Sequence, residues 1–164
     1  MIMRHLRTKW LKRALIPLGV SIVTISLSAA ISPWQQKKIL VVEELETGAQ
    51  YAKIPVEAGD ELSFQWEHSF EHIPWYEYYE IQGDDSFILH SIAVAGFGAG
   101  IPAEMDCEYR YEDGMIYMEG IESVFQQFNW INSQTALKNI KVNGELLLNG
   151  GDMPHHEKMV LRIE

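Results

Sequence analysis

The chain has 164 residues, of which 47% are hydrophobic and 22% charged. The roughly 130 residues that follow an apolar N-terminal segment are enough for one domain with a hydrophobic core. All 23 acidic residues lie after residue 30, and this part of the chain contains only eight Lys and Arg. Residues 31–164 therefore have a formal charge of 8 − 23 = −15. Such a charge argues against nucleic-acid binding, and the single cysteine, Cys107, excludes an internal disulfide.

A basic segment and an apolar run open the chain. Residues 1–13 contain five basic residues: Arg4, Arg7, Lys9, Lys12 and Arg13. Residues 14–31 are uncharged, and as a helix they would extend about 27 Å, close to the roughly 30 Å of a bilayer core. This pattern predicts a single-pass signal anchor in the cell membrane, with a cytoplasmic N-terminus and an extracytoplasmic C-terminal domain. A signal peptide cleaved before Ile31, after the small residues at 28–30, is the alternative.

Residues 32–38 are predicted to be a linker. Residues 39–164, in which short apolar runs alternate with turns, are predicted to form an extracytoplasmic β domain. Strands are predicted at residues 39–46, 50–56, 62–70, 75–82, 87–94, 107–111, 115–119, 138–142, 145–148 and 158–163. Residues 121–134 are ambiguous, because apolar residues with helical spacing are followed by asparagines, which favour a short helix or a loop. The pattern predicts a mainly β fold, an antiparallel β-sandwich or a barrel-like domain.

A histidine and a glutamate occupy apolar faces of consecutive predicted strands. His68 alternates with Trp66 and Phe70, and Glu77 alternates with Trp75 and Tyr79. A hairpin with its loop at residues 71–74 would place His68 opposite Glu77, with Cβ atoms about 4.5–5.5 Å apart. Such a pair is either a buried polar contact that fixes the strand register or part of a site for a ligand or a proton.

The site hypothesis has an aromatic wall and a glycine-rich rim. Trp66, Trp75 and Tyr79 would surround the histidine and glutamate pair. The loop 96–102, which contains Gly98 and Gly100, either makes a tight corner or exposes N–H groups to an anion. No nucleophile with an adjacent base is recognisable. No cofactor or metal site is expected, because His68 and His72 would lie about 13 Å apart along a strand.

Two short motifs give the chain a family resemblance. Glu67-His68-Ser69 precedes Pro74 and Glu77, and Gly98-Ala99-Gly100-Ile101-Pro102 follows about twenty residues later. This order resembles the domain of unknown function 1850 family, which has a His-Ser…Thr-Pro-x-x-Glu core and a Gly-Ala-Gly-Leu-Pro segment, over roughly residues 39–163. Ile73 and Ile101 replace the family's Thr and Leu, and the first exchange removes a hydroxyl from the motif.

The resemblance implies a small exported protein, of a kind often encoded beside TRAP-type transporters. We therefore expect a non-enzymatic accessory or binding module, whose partner is a TRAP-type permease or solute-binding protein and whose ligand is a small solute. By motif position the resemblance assigns His68, Ser69, Pro74 and Glu77, with Gly98, Gly100 and Pro102. The alternatives are an extracytoplasmic hydrolase or metal-dependent enzyme using His68 and Glu77, and a purely structural subunit of a membrane complex.

Overall fold

The computed structural model describes residues 37–101 and 105–164, which form eleven strands and one short 3-10 helix. The strands are β1 Lys38–Glu44, β2 Gln50–Val56, β3 Glu61–Glu67, β4 Pro74–Ile81, β5 Phe87–Val94, β6 Glu108–Glu112, β7 Met115–Phe125, β8 Phe128–Ile131, β9 Leu137–Val142, β10 Glu145–Asn149 and β11 Lys158–Ile163. The 3-10 helix, Gly150–Asp152, lies between the last two strands. The prediction of a mainly β domain is confirmed.

The strands form two antiparallel sheets. The four-stranded sheet has the order β2-β1-β11-β8, and the seven-stranded sheet has the order β10-β9-β3-β4-β5-β7-β6. β1 and β11 pair with each other, so the first and last described strands close the smaller sheet at its centre. The strand that leaves the larger sheet, β7, is followed at once by β8 of the smaller one.

One apolar core draws on both sheets. Leu40, Val42 and Leu161 come from the smaller sheet, and Phe64 and Ile81 come from the larger one. Along β3 the buried residues alternate with more exposed ones, as expected for a strand with one face on a core. This alternation decides which side chains of β3 and β4 lie between the sheets.

Two predicted turns are confirmed by their backbone angles. Asn143 and Gly144 have φ values of 51° and 79° between β9 and β10, and Asp113 and Gly114 have 49° and 77° between β6 and β7. Positive φ at both central residues defines the turn type that suits the twist of a two-residue hairpin. Short-range turn chemistry therefore predicted both hairpins correctly.

The structure replaces an ambiguous segment by strands and shortens one predicted strand. Residues 121–134 contain no α-helix; β7 continues to Phe125 and β8 begins at Phe128. The helical spacing arose because the chain passes from one sheet to the other at residues 126–127, which breaks the alternation. The third predicted strand, 62–70, ends at Glu67, and Phe70 lies in the following loop with 72% of its surface exposed.

The predicted N-terminal elements lie outside the described residues. These are the basic segment 1–13, the apolar segment 14–31 and most of the linker; Pro102 of the glycine-rich loop also lies outside. Within the described ranges, no helix has the length and apolar character needed to cross a membrane.

Candidate functional site

The pairing of β3 with β4 differs from the predicted register. Glu77 lies opposite Phe64, and Trp66 lies opposite Trp75, so the predicted cross-strand pair of His68 with Glu77 is wrong. The displacement is four residues, and because it is even, Trp66, Glu77 and Tyr79 keep the predicted face. Pro74 misled the prediction: it begins β4, a position that tolerates proline, instead of ending the loop.

His68 begins the loop between the two strands. Its backbone N–H donates to the Ile73 carbonyl at 2.8 Å, and its Nδ1 accepts the Glu71 N–H at 3.1 Å. The imidazole stacks on the Trp75 ring, with 5.9 Å between centroids and 10° between planes. The Nδ1 atom of His68 is therefore engaged in holding the loop.

Glu77 lies among aromatic side chains on the inner face of β4. The Trp66 indole donates from Nε1 to Glu77 Oε2 at 3.1 Å. Burial raises the pKa of Glu77 above its ordinary value of 4.5, while the Trp66, Tyr79 and Trp75 donors partly oppose the rise. Burial and the neighbouring Glu77 charge also raise the pKa of Tyr79, so its hydroxyl keeps its proton at physiological pH.

An aromatic cleft of about 390 Å³ opens beside this glutamate. The residues that line the aromatic cleft are Phe64, Trp66, Glu77, Tyr79, Phe125, Gln127, Phe128, Asn129 and Trp130. Phe128 and Trp130 come from β8 of the smaller sheet, whereas Phe64, Trp66 and Tyr79 come from the larger one. The cleft therefore depends on both sheets and lies within the size range of small-molecule sites.

The rings around the cleft meet mostly at steep angles. The ring centroid of Tyr79 lies 4.7 Å from that of Phe128 and 5.7 Å from that of Phe125, with interplanar angles of 65° and 88°. Phe64 and Trp130 meet at 79°, with centroids 6.1 Å apart. Edge-to-face contacts of this kind fix ring orientation as well as burying area. The walls of the cleft are therefore built from an interlocked set of rings.

The other predicted site residues do not line the aromatic cleft. His68 and Trp75 form the stack described above, although the Trp75 indole approaches Glu77 closely enough to favour its charged form. Ser69 is an exposed residue of the β3–β4 loop. The predicted site residues therefore divide into a cleft group, Trp66, Glu77 and Tyr79, and a group in and beside the loop.

The glycine-rich loop packs on the β3–β4 loop. The Glu71 carboxylate accepts the Ala99 N–H at 3.2 Å, and a β-carbon at Gly98 would collide with this carboxylate. Gly100 has a φ of 81°, a conformation that favours glycine. A protein carboxylate thus accepts the loop N–H that the anion hypothesis assigned to a ligand, which agrees with the reading of a tight corner.

Metal-ligating side chains do not converge in the part of the chain that the structure describes, where no group of three or more His, Cys, Asp and Glu could hold an ion. His155 and His156 lie in a turn with their rings stacked 3.7 Å apart.

Sequence reasoning missed six of the nine residues that line the aromatic cleft. Phe125, Phe128 and Trp130 were not recognised because residues 121–134 gave no clear strand pattern. A signal was present: Phe128 and Trp130 alternate with Asn129 and Ile131, which is the period of a strand. Their distance in sequence from Glu77 left no means of placing them beside it.

Chemically, the aromatic cleft can bind and orient a small molecule. It offers ring faces, one carboxylate and the amides of Gln127 and Asn129. The hydroxyl of Tyr79 is a poor nucleophile because it stays protonated, and the imidazole of His68 is held in the neighbouring loop. The described cleft residues therefore supply recognition groups and no nucleophile with an adjacent base.

Comparisons with known proteins place the chain in a family. A search of curated proteins and a search of solved structures found no match. The family described as domain of unknown function (DUF1850) matches residues 62–147, more than half of the chain. This span runs from β3 to β10 and includes the β3–β4 hairpin, the glycine-rich loop and most of the aromatic cleft. The chain belongs to the domain of unknown function family DUF1850.

Proposed function

We propose that the protein is a membrane-anchored, extracytoplasmic binding module without enzymatic activity, and that the aromatic cleft is its binding site. The observation that carries this proposal is Glu77, a carboxylate held among aromatic rings at the edge of a cleft of about 390 Å³. Burying a carboxylate costs stability unless it is fully paired. Retaining one beside an open, aromatic cleft suits a role in recognition better than a role in folding.

The proposed context is an accessory role in a TRAP-type solute transporter. Support comes from the family, whose resemblance implies small exported proteins encoded beside such transporters, and from the N-terminal pattern of residues 1–31. In this role the domain would hold a solute, or contact the permease or the solute-binding protein, on the outer side of the membrane.

Native mass spectrometry of the full chain, gently extracted from its host membrane, tests the proposal. We expect a small-molecule adduct on the wild-type protein and its loss in Glu77→Gln, a variant that keeps the shape of the side chain. Glu145→Gln, at an exposed position of β10, is the matched control and should keep the adduct. A folded wild-type chain that carries no small molecule, from cells grown on varied solutes, would contradict the proposed site.

The transporter context needs its own measurement. Affinity purification of the tagged full chain should recover a TRAP-type permease or solute-binding protein from the same membranes. Recovery of unrelated membrane complexes alone would leave the binding site in place and remove the transporter assignment.

A further inference from the structure

We propose that the aromatic cleft binds an organic cation, with its ammonium group against the Glu77 carboxylate and among the surrounding rings. The inference rests on the proposed function, because it names the ligand class for the same cleft. It follows from the charge and the shape of the cleft and from one unpaired donor among its described lining residues.

The charge of the lining is the first argument. Among the described residues that line the aromatic cleft there is no Lys, Arg or His, and Glu77 is the one formally charged group. An anionic ligand would meet this carboxylate without a counter-charge and would approach a domain that carries a strong negative charge. A cation would pair with Glu77 and be favoured by the same field.

The aromatic rings favour the same ligand class. The faces of Trp, Tyr and Phe rings carry partial negative charge, and a cation within about 6 Å of a ring centroid is attracted to it. Trp66, Tyr79 and Trp130 all line the aromatic cleft beside phenylalanines. Six aromatic side chains and one carboxylate line the aromatic cleft together, a combination that favours a cationic ligand.

The angles between rings distinguish a cage from a platform. Tyr79 meets Phe125 at 88° and Phe64 meets Trp130 at 79°, whereas Trp66 lies parallel to Phe64 at 6°, so most but not all neighbouring walls face different directions. A flat sugar ring stacks best on one broad aromatic face, whereas a tetrahedral ammonium group is matched by several faces around it. The steep angles therefore suit a compact substituted ammonium.

One indole donor among the described residues that line the aromatic cleft lacks a hydrogen-bond partner. The indole Nε1 of Trp130 is buried and has no hydrogen-bond partner among the described residues. An unmatched buried donor is costly, so a ligand that accepts from it gains affinity. We therefore infer that the cation also carries an oxygen acceptor, such as a hydroxyl, close to its ammonium group.

Isothermal titration of the full chain in detergent tests this inference with paired probes. Choline carries a quaternary ammonium and a hydroxyl, and 3,3-dimethylbutan-1-ol has the same shape without the charge. We expect choline to bind at least tenfold more tightly than the neutral alcohol. Butylammonium serves as a second cationic probe, which covers a preference for a primary amine.

Variants assign the preference to the cleft. Glu77→Gln should reduce choline affinity at least tenfold and remove the discrimination between the two probes, while Glu145→Gln should retain both. Far-ultraviolet circular dichroism checks that each variant is folded. Trp66→Phe keeps an aromatic face but removes the indole N–H that donates to Glu77. Because Glu77 and the ring faces bind the ligand, this variant should retain most of the cation preference.

Two results would overturn the inference. One is equal or tighter binding of the neutral alcohol, and the other is failure of both cationic probes to bind. If the native mass spectrum then still contains an adduct that depends on Glu77, the cleft binds another class of molecule and the proposed function stands. If neither probe binds and no adduct is found, the proposed function fails as well.

Discussion

Glu77 couples the stability of the domain to pH through its burial. Because burial raises its pKa in the folded state above the ordinary 4.5, the protonated form is favoured on folding. The contribution of protonated Glu77 to the free energy of unfolding is fully present below about pH 4. It is lost as the pH rises through the raised pKa of Glu77. The groups that face Glu77, namely the Trp66 and Trp75 indoles and the Tyr79 hydroxyl, stay neutral in this range.

Glu77→Gln should therefore gain stability relative to the wild type as the pH rises. The amide cannot ionise, and its oxygen can still accept the Trp66 N–H. Melting temperatures measured from pH 4 to pH 7 should give a difference, variant minus wild type, that increases with pH. Glu145→Gln should give a difference that does not change in this way. A difference that falls as the pH rises would mean that the folded protein stabilises the Glu77 charge.

Phe64 and Phe70 test how far alternation along a strand determines burial. Both belong to one apolar series in the sequence, yet Phe64 is 2% exposed between the sheets and Phe70 is 72% exposed in a loop. We expect Phe64→Ala to lower the free energy of unfolding by about 3–5 kcal/mol. Phe70→Ala should change it by about 0.5 kcal/mol or less.

Denaturant titration of the two variants measures both values under the same conditions. A large loss in Phe70→Ala would mean that this side chain packs on a part of the chain outside the described residues. Similar small losses in both variants would contradict the core position of Phe64.

At the scale of elements, the β3–β4 loop is a structural unit in which His68 acts on the backbone. Its Nδ1 accepts the Glu71 N–H, and its ring covers Trp75. Glu71 in turn accepts the Ala99 N–H, so the histidine and the glycine-rich loop are linked through one residue. The two family motifs of this chain thus meet in one corner of the domain.

His68→Ala should cost about 1 kcal/mol of unfolding free energy, the usual net value of one hydrogen bond. We expect the affinity for choline to change less than twofold, since His68 does not line the aromatic cleft. Ser69→Ala, in an exposed position of the same loop, is the control and should change neither quantity. Loss of choline binding in a folded His68→Ala protein would return the histidine to the site.

The elements also indicate which features a sequence can predict. Asn143-Gly144 and Asp113-Gly114 specify their turns locally, because few other residues accept positive φ at both positions. The face of Glu77 was predictable, since alternation survives an even displacement of register. The register itself was not, because Pro74 can begin a strand as readily as it can end a loop.

At the scale of the whole molecule, the aromatic cleft is a product of topology. The chain leaves the larger sheet after Phe125 and enters the smaller one at Phe128, and this passage brings β8 over the side chains of β3 and β4. Some fifty residues separate Glu77 from Trp130, and β8 is ordered by its pairing with β11 near the end of the chain. No local pattern encodes that meeting, so only Trp66, Glu77 and Tyr79 of the nine lining residues could be predicted from sequence.

The distribution of charged residues along the chain predicts its orientation in the membrane. Five basic and no acidic residues lie in segment 1–13, whereas the part after residue 30 has a formal charge of −15. Basic flanks stay on the cytoplasmic side, so the β domain should cross the membrane. Alkaline phosphatase fused after residue 164, which is active only outside the cytoplasm, should be active in intact bacteria. The same fusion should lose much of this activity when the five basic residues Arg4, Arg7, Lys9, Lys12 and Arg13 are changed to Glu. A cytoplasmic reporter that is active when fused after residue 164 of the unaltered chain would contradict the predicted orientation.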